Sequence, residues 1–170
     1  MSLTTFENLP DDARLWLFHA ERPLNDSETA ALRGALEHFL EGWAAHRQDL
    51  TAAYDLRYNQ FILLGVDESR LPPSGCSIDS MMHTLEQISR TLAVDLVDSP
   101  DVPYRDGEAV VCVSRDAFAR LAASGMVNAS TIVFDRTVTR VRDVRAGCWE
   151  TPARSSWHAR AFDLQEPVRA

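Results

Sequence analysis

Lysine is missing altogether: all 17 basic residues of this 170-residue chain are arginine. That excludes a P-loop lysine, a Schiff-base lysine and a kinase-type ATP lysine. No Cys-x-x-Cys pair occurs, and the three cysteines, Cys76, Cys112 and Cys148, are an odd number at wide spacings. A zinc ribbon or a thioredoxin-like site therefore has no basis, and free thiols in a reducing cytosol are expected. Long apolar runs are missing too. The longest, Phe61 to Val66, is far short of the roughly 20 residues that span a bilayer. The N-terminus MSLTTFENLPDDARLW has neither the basic nor the apolar region of a secretory signal, so the expected location is cytoplasmic, with no membrane partner. The glycosylation patterns at Asn25 and Asn128 carry no weight without secretion. A net charge of −8 disfavours generic nucleic-acid binding.

What is present reads as a single α+β domain over 1–170. Hydrophobic residues are 45% of the chain, enough for one core at this length but not for two large ones. Residues 14–20 read as a buried strand. Asn25 with Glu28 forms a capping-box pattern, and Leu32, Leu36, Phe39, Leu40 and Trp43 recur at helical spacing, so a helix is expected over 27–45. Residues 50–58 alternate and 60–66 are apolar, which predicts a hairpin turning near Asn59. After the loop DESRLPPSG, the set Ile78, Met81, Leu85, Ile88 and Leu92 predicts a helix over about 77–92, and 93–97 read as a strand. The order β-α-β-β-α-β predicts a ferredoxin-like core over about 13–98. Residues 98–108 read as a connection. A C-terminal α/β appendage over about 108–162 is expected to hold a strand at 109–113 and a helix at 115–124, capped by Ser114 and ended by Gly125. A second strand is expected at 131–135, running on toward 144. The tail from Ala146 reads as irregular, docked through Trp149 and Trp157.

Reactive side chains are densest between Asp67 and His83. Asp67 and Glu68 close a buried strand. Cys76 stands at the start of a helix, where the dipole lowers a thiol pKa. At about 100° per residue, Cys76, Asp79 and His83 share the helix face opposite the core set, and Asp79 and His83 are four apart. Such a group suits nucleophilic or acid–base catalysis, or, with Asp67 and Glu68, a divalent metal. Cys76 and His83 are about 10 Å apart along the helix axis, which favours metal or acid–base chemistry over a direct dyad. The competing reading is a solvated helix face. Two functions follow: a small enzyme with Cys76, Asp79, His83, Asp67 and Glu68 as its site, or a binding module for a small molecule or protein, homodimeric through its sheet.

Lesser candidates are His46 at the end of the first helix, Arg57-Tyr58-Asn59 as turn chemistry or a ligand contact, and Trp157-His158 with Arg160 as a lid or a packed segment. His19 and His38 read as core-edge and surface residues, and Cys112 and Cys148 as structural or incidental. Tyr54 and Tyr58 are the aromatics an RNA-binding sheet would expose.

Trp16-Leu17-Phe18 with Arg22 and Leu24, Trp43 with His46, Arg57-Tyr58-Asn59 with Phe61-Ile62, Val66-Asp67-Glu68, Ser74-Gly75-Cys76-Ser77-Ile78-Asp79 with His83, Thr131 to Phe134, and Ser156-Trp157-His158 with Arg160 run through nearly the whole chain. In these motifs it resembles a bacterial family, common in Bacteroidetes-type genomes, whose members are of similar length and often carry the label "ABC transporter ATPase". S-G-C-S-I-D is the most specific piece. The resemblance implies no catalytic assignment, and the label fails physically, since G-x-x-x-x-G-K-[ST] cannot exist without lysine. The chain departs from the family pattern at Asp98-Ser99-Pro100, where that pattern places a basic residue after the aspartate.

Overall fold

A computed structural model of the protein describes residues 4–99 and 102–167. The chain is mixed α and β with antiparallel sheets, and it divides into two compact units, residues 1–99 with 139–142, and 100–138 with 143–170.

The first unit runs β1 (Arg14–His19), α1 (Asp26–Glu41), β2 (Ala44–Ala45), β3 (Gln48–Asp49), β4 (Thr51–Arg57), β5 (Phe61–Asp67) and α2 (Gly75–Leu92). β5 lies between β1 and β4, antiparallel to both, with Leu64 opposite Trp16 on one side and Tyr54 on the other. Being central, β5 is buried from Phe61 through Val66, which is why it reads as an unbroken apolar run rather than an alternating one. Leu32, Leu36 and Leu40 of α1 and Met81, Leu85 and Ile88 of α2 share one core with Ile62, Leu64 and Val66 of β5. The capping box at α1 is complete: Glu28 N donates to Asn25 Oδ1 and Asn25 N to Glu28 Oε2, both at 2.9 Å. Arg22 grips the same carboxylate at 2.8 and 2.9 Å, and with the Asn25 amide it holds Glu28 down at about 2.

Gly65 is where the sheet needs a bare backbone. A Cβ there would stand 2.5 Å from Leu9 Cδ1, with Val141 and Phe6 next in reach. Gly65→Val is therefore expected to cost about 1–3 kcal/mol through overpacking. Urea unfolding measures this, and an unchanged midpoint would contradict it.

Two expected elements differ in this unit. The first helix stops at Glu41 instead of reaching residue 45. The Gly42 amide folds back on Phe39 and Leu40 carbonyls, and the chain turns through His46 and Arg47 (φ 51° and 66°) into the small β2–β3 hairpin. His46 thus sits on a turn, not on a helix end. Residues 93–97 are turn, not strand. Val94 and Leu96 are buried, but side chains satisfy nearby backbone where a sheet partner would have done so: Leu96 N donates to Ser89 Oγ, and Val97 N and Asp98 N to Asp95 Oδ1. Strand-like apolarity here marks a core plug. The second edge of β1 carries residues 139–141 instead, through Leu15 N to Thr139 O (2.9 Å) and Val141 N to Ala13 O (3.1 Å). The β4–β5 hairpin turns at Tyr58-Asn59 (φ 56° and 49°), as turn chemistry predicts.

The second unit contains β6 (Val102–Asp106), β7 (Ala109–Val113), α3 (Arg115–Ala123), β8 (Ile132–Phe134), β9 (Glu150–Pro152) and the short α5 (His158–Ala161); α4 (Val141–Arg145) crosses the boundary in sequence. Its sheet order is β7-β6-β8-β9. β6 falls in the stretch 98–108 that reads as a connection. Val102 and Tyr104 are buried on it, and Gly107 (φ 62°) turns it into β7. The strand at 131 ends at Phe134, and 141–145 are helical, so it does not continue to 144. The tail is ordered rather than irregular: β9 pairs with β8, and Trp149 is buried 5.3 Å from Phe134. Ser114 caps α3 by accepting from Ala117 N, and Gly125 (φ 75°) follows its end. Among the described residues, no helix is long and apolar enough to cross a membrane.

Candidate functional site

A hollow of about 620 Å³ lies between α1 and α2 in the first unit. Its existence follows from side-chain size. α1 contributes Ala31 and Ala35, with Gly42 just past its end, and α2 contributes Ser77, Ser80 and Thr84. Small residues where two helices face each other leave space that larger ones would fill. Phe39, Trp43, Ile88 and Leu92 give it apolar walls. Trp43 fixes one end: its Nε1–H donates to Ser77 O at 2.8 Å, and Ser77 Oγ donates to Ala44 O at 2.9 Å, so the α1–β2 corner is tied to the start of α2.

Most polar groups of the walls are already engaged. Thr84 and Thr91 hydroxyls donate to the Ser80 and Gln87 carbonyls, and Ser74 and Ser77 hydroxyls bond each other. Among the described residues, the side chains of His38, His46, Cys76 and Ser80 line the hollow without a hydrogen bond of their own. Among the described residues no Asp, Glu or Arg lines it, in a chain of net charge −8.

The residues singled out between 67 and 83 are not gathered in this hollow. Cys76 is exposed and lines it. Asp79 and His83 are exposed on α2 outside it, and His83 Nε2 meets Gln87 Nε2 at 3.1 Å rather than Asp79. Asp67 Oδ1 accepts from Ser69 N in a turn at the end of β5. Glu68 is spent on two arginines, Arg14 at 3.6 Å and Arg140 at 3.1 Å, beside a polar hollow of about 300 Å³ that it lines with Asp12, Ser69, Arg140 and Arg142. Among the described residues, no group of three or more His, Cys, Asp and Glu is placed to hold a metal ion. His38, Phe39, Trp43 and Ser80 were not candidates by sequence. The signal that could have found them is the set of small residues at 31 and 35 on one helix, 42 just past its end, and 77, 80 and 84 on the other.

The remaining candidates are structural. His19 is buried in β1 and stacks on Phe61 at 6.0 Å. Tyr54 donates its hydroxyl to Glu37 at 2.9 Å, and Tyr58 is exposed at the hairpin tip. Cys112 is half-buried and Cys148 exposed, and neither is in a disulfide. In the second unit, His158 is fully buried against Trp157, Phe118 and Phe162. Its Nδ1 lies 2.7 Å from Ser156 Oγ, its Nε2 has no partner, and burial pushes its pKa down to about 4 despite the opposing pull of Asp135. Trp157 and His158 are thus packing residues of that unit.

No protein-family model matches the chain, and no curated protein or solved structure matches it either.

Proposed function

We propose that the first unit is a binding module whose hollow between α1 and α2 takes a small, mainly apolar molecule. One observation carries the reading: a space of about 620 Å³ with aromatic and aliphatic walls and no charged carboxylate or guanidinium in its lining. Its size falls within the range of small-molecule sites, and apolar walls with a few polar groups are their usual make-up. An enzyme built on Cys76, Asp67, Glu68, Asp79 and His83 would need those groups around the same space, and only Cys76 of that set lines it. We also read the β-α-β-β-α order, with β5 between β1 and β4, as a ferredoxin-like arrangement in which residues 139–141 occupy the edge of the last strand.

The uncharged fluorescent probe N-phenyl-1-naphthylamine tests the reading. It is expected to brighten saturably on the protein. Ala35→Trp, which fills the hollow from a half-buried position in its wall, is expected to weaken it at least about tenfold, or ~1.4 kcal/mol, with the circular dichroism spectrum unchanged. No saturable signal, or an affinity indifferent to Ala35→Trp, would reject the module.

A further inference from the structure

Resting on that reading, we infer that the hollow is built for a single-tailed amphiphile carrying a carboxylate, its head among His38, His46, Cys76 and Ser80 and its tail toward Ala31, Ala35, Ile88 and Leu92. The argument starts from direction. The end of α1 meets the start of α2 through the Trp43–Ser77 and Ser77–Ala44 hydrogen bonds, so the two helices run past the hollow in opposite senses. Residues 42–46 and 74–77 therefore mark one end, and residues 31–35 and 88–92 the other.

The two ends differ in chemistry. At the first lie His46 and Cys76, with His38 and Ser80 one to two turns further along, and among the described residues these four polar side chains of the lining make no hydrogen bond of their own. All four can donate: two ring N–H groups, a hydroxyl and a thiol. At the far end, Thr91 has already given its hydroxyl hydrogen to Gln87 O, the Gln87 amide meets His83, and the rest is alanine, isoleucine and leucine. A ligand that is polar at one tip and hydrocarbon behind it satisfies both ends at once.

The sign of the head follows from the lining. No Asp or Glu lines the space, although acids outnumber bases 25 to 17 in the chain. A carboxylate head would meet donors and no fixed negative group there, whereas an ammonium head would meet no anion. Hydrogen bonds to a charged acceptor are stronger than those to a neutral one, so a carboxylate gains over an alcohol of the same chain. The span from Ala31 to Gly42 along α1 is about 16 Å, which suits a medium-length chain.

Displacement of bound N-phenyl-1-naphthylamine by decanoate, decanol and decyltrimethylammonium at one pH and ionic strength tests this. Decanoate is expected to compete at least about tenfold more tightly than decanol, and the cation least well. The His38→Leu/His46→Leu double variant is read by the decanoate-to-decanol ratio, which should fall toward one, while Asp79→Ala, outside the hollow, should keep it. Equal displacement by decanoate and decanol, or a ratio unchanged in the double variant, overturns the carboxylate assignment and leaves the binding module standing. Failure of the naphthylamine to bind at all overturns both.

Discussion

Trp43→Ala is expected to lower the stability of the first unit by about 3–5 kcal/mol, the usual range for deleting a buried aromatic ring. Trp43 is 3% exposed. Its ring stands 6.2 Å from Trp16 and 5.4 Å from Phe39, and aromatic pairs at such spacings add to simple burial. Removal of the indole also loses the Nε1–H hydrogen bond to the Ser77 carbonyl, 2.8 Å long in a buried setting; a bond of this kind contributes about 0.5–1.5 kcal/mol. Trp43→Phe separates the two contributions, because it keeps most of the packing and loses only the hydrogen bond, so its loss should be about 0.5–1.5 kcal/mol. The functional consequence is larger than the stability figure. Trp43 is both a wall of the hollow and the tie between the α1–β2 corner and α2, so Trp43→Phe should already weaken naphthylamine binding. Urea unfolding of both variants, with hydrogen exchange at the first turn of α2 as a local readout, measures it. A loss under about 1 kcal/mol for Trp43→Ala would mean that the corner is held by something other than this ring.

The same tryptophan shows how far the sequence could be read. Leu32, Leu36 and Leu40 declared the buried side of α1 by spacing alone, and Asn25 with Glu28 declared its start. Spacing extended the helix to Trp43 as well, and there it failed. Trp43 is buried as its position implies, but on a chain that has left the helix at Gly42, since burial periodicity does not reveal which backbone carries a side chain. Val94 and Leu96 misled in the same way: both are in the core, yet Ser89 and Asp95 supply the hydrogen bonds that a strand partner was expected to give. In β6 the opposite occurred. Pro103 and two aspartates masked Val102 and Tyr104, and the turn at Asp106-Gly107 was the better guide.

The candidate site was legible only in part, and for a related reason. Side chains near each other in sequence are gathered by a helix face only if a second element closes over that face. Cys76 has such a partner in α1; Asp79 and His83 do not. Glu68 is taken by Arg140, 72 residues further along, a pairing that no local pattern announces. The hollow itself is defined by missing bulk on two helices, and that becomes visible only when the helices are known to face each other.

Acidification should destabilise the second unit through one residue, His158, by about 3 kcal/mol between pH 6.5 and about 4. The imidazole is 0% exposed, stacked on Trp157 at 3.9 Å and flanked by Phe118 and Phe162 at 5.9 and 6.1 Å. Burial lowers its pKa from 6.5 to about 4; Asp135 pulls upward, and Arg115 and Arg136 add to the lowering. In the unfolded chain the same ring titrates near its ordinary value. Between pH 6.5 and about 4 the unfolded state therefore binds more protons than the folded state, so stability rises with pH across that window, is complete above it and flattens below it. The comparison is with His158→Phe, which isolates this one proton site. That ring fits an aromatic cage, gives up the bond to Ser156 Oγ and removes both the proton site and the unpartnered Nε2. Hydrogen exchange of α3 and β8 amides, followed from pH 7 to 4 in both proteins, should show a steeper loss of protection in the wild type, with the difference confined to the second unit. Parallel pH profiles would mean that His158 takes up its proton without leaving the cage, and the buried imidazole would then be no source of acid sensitivity.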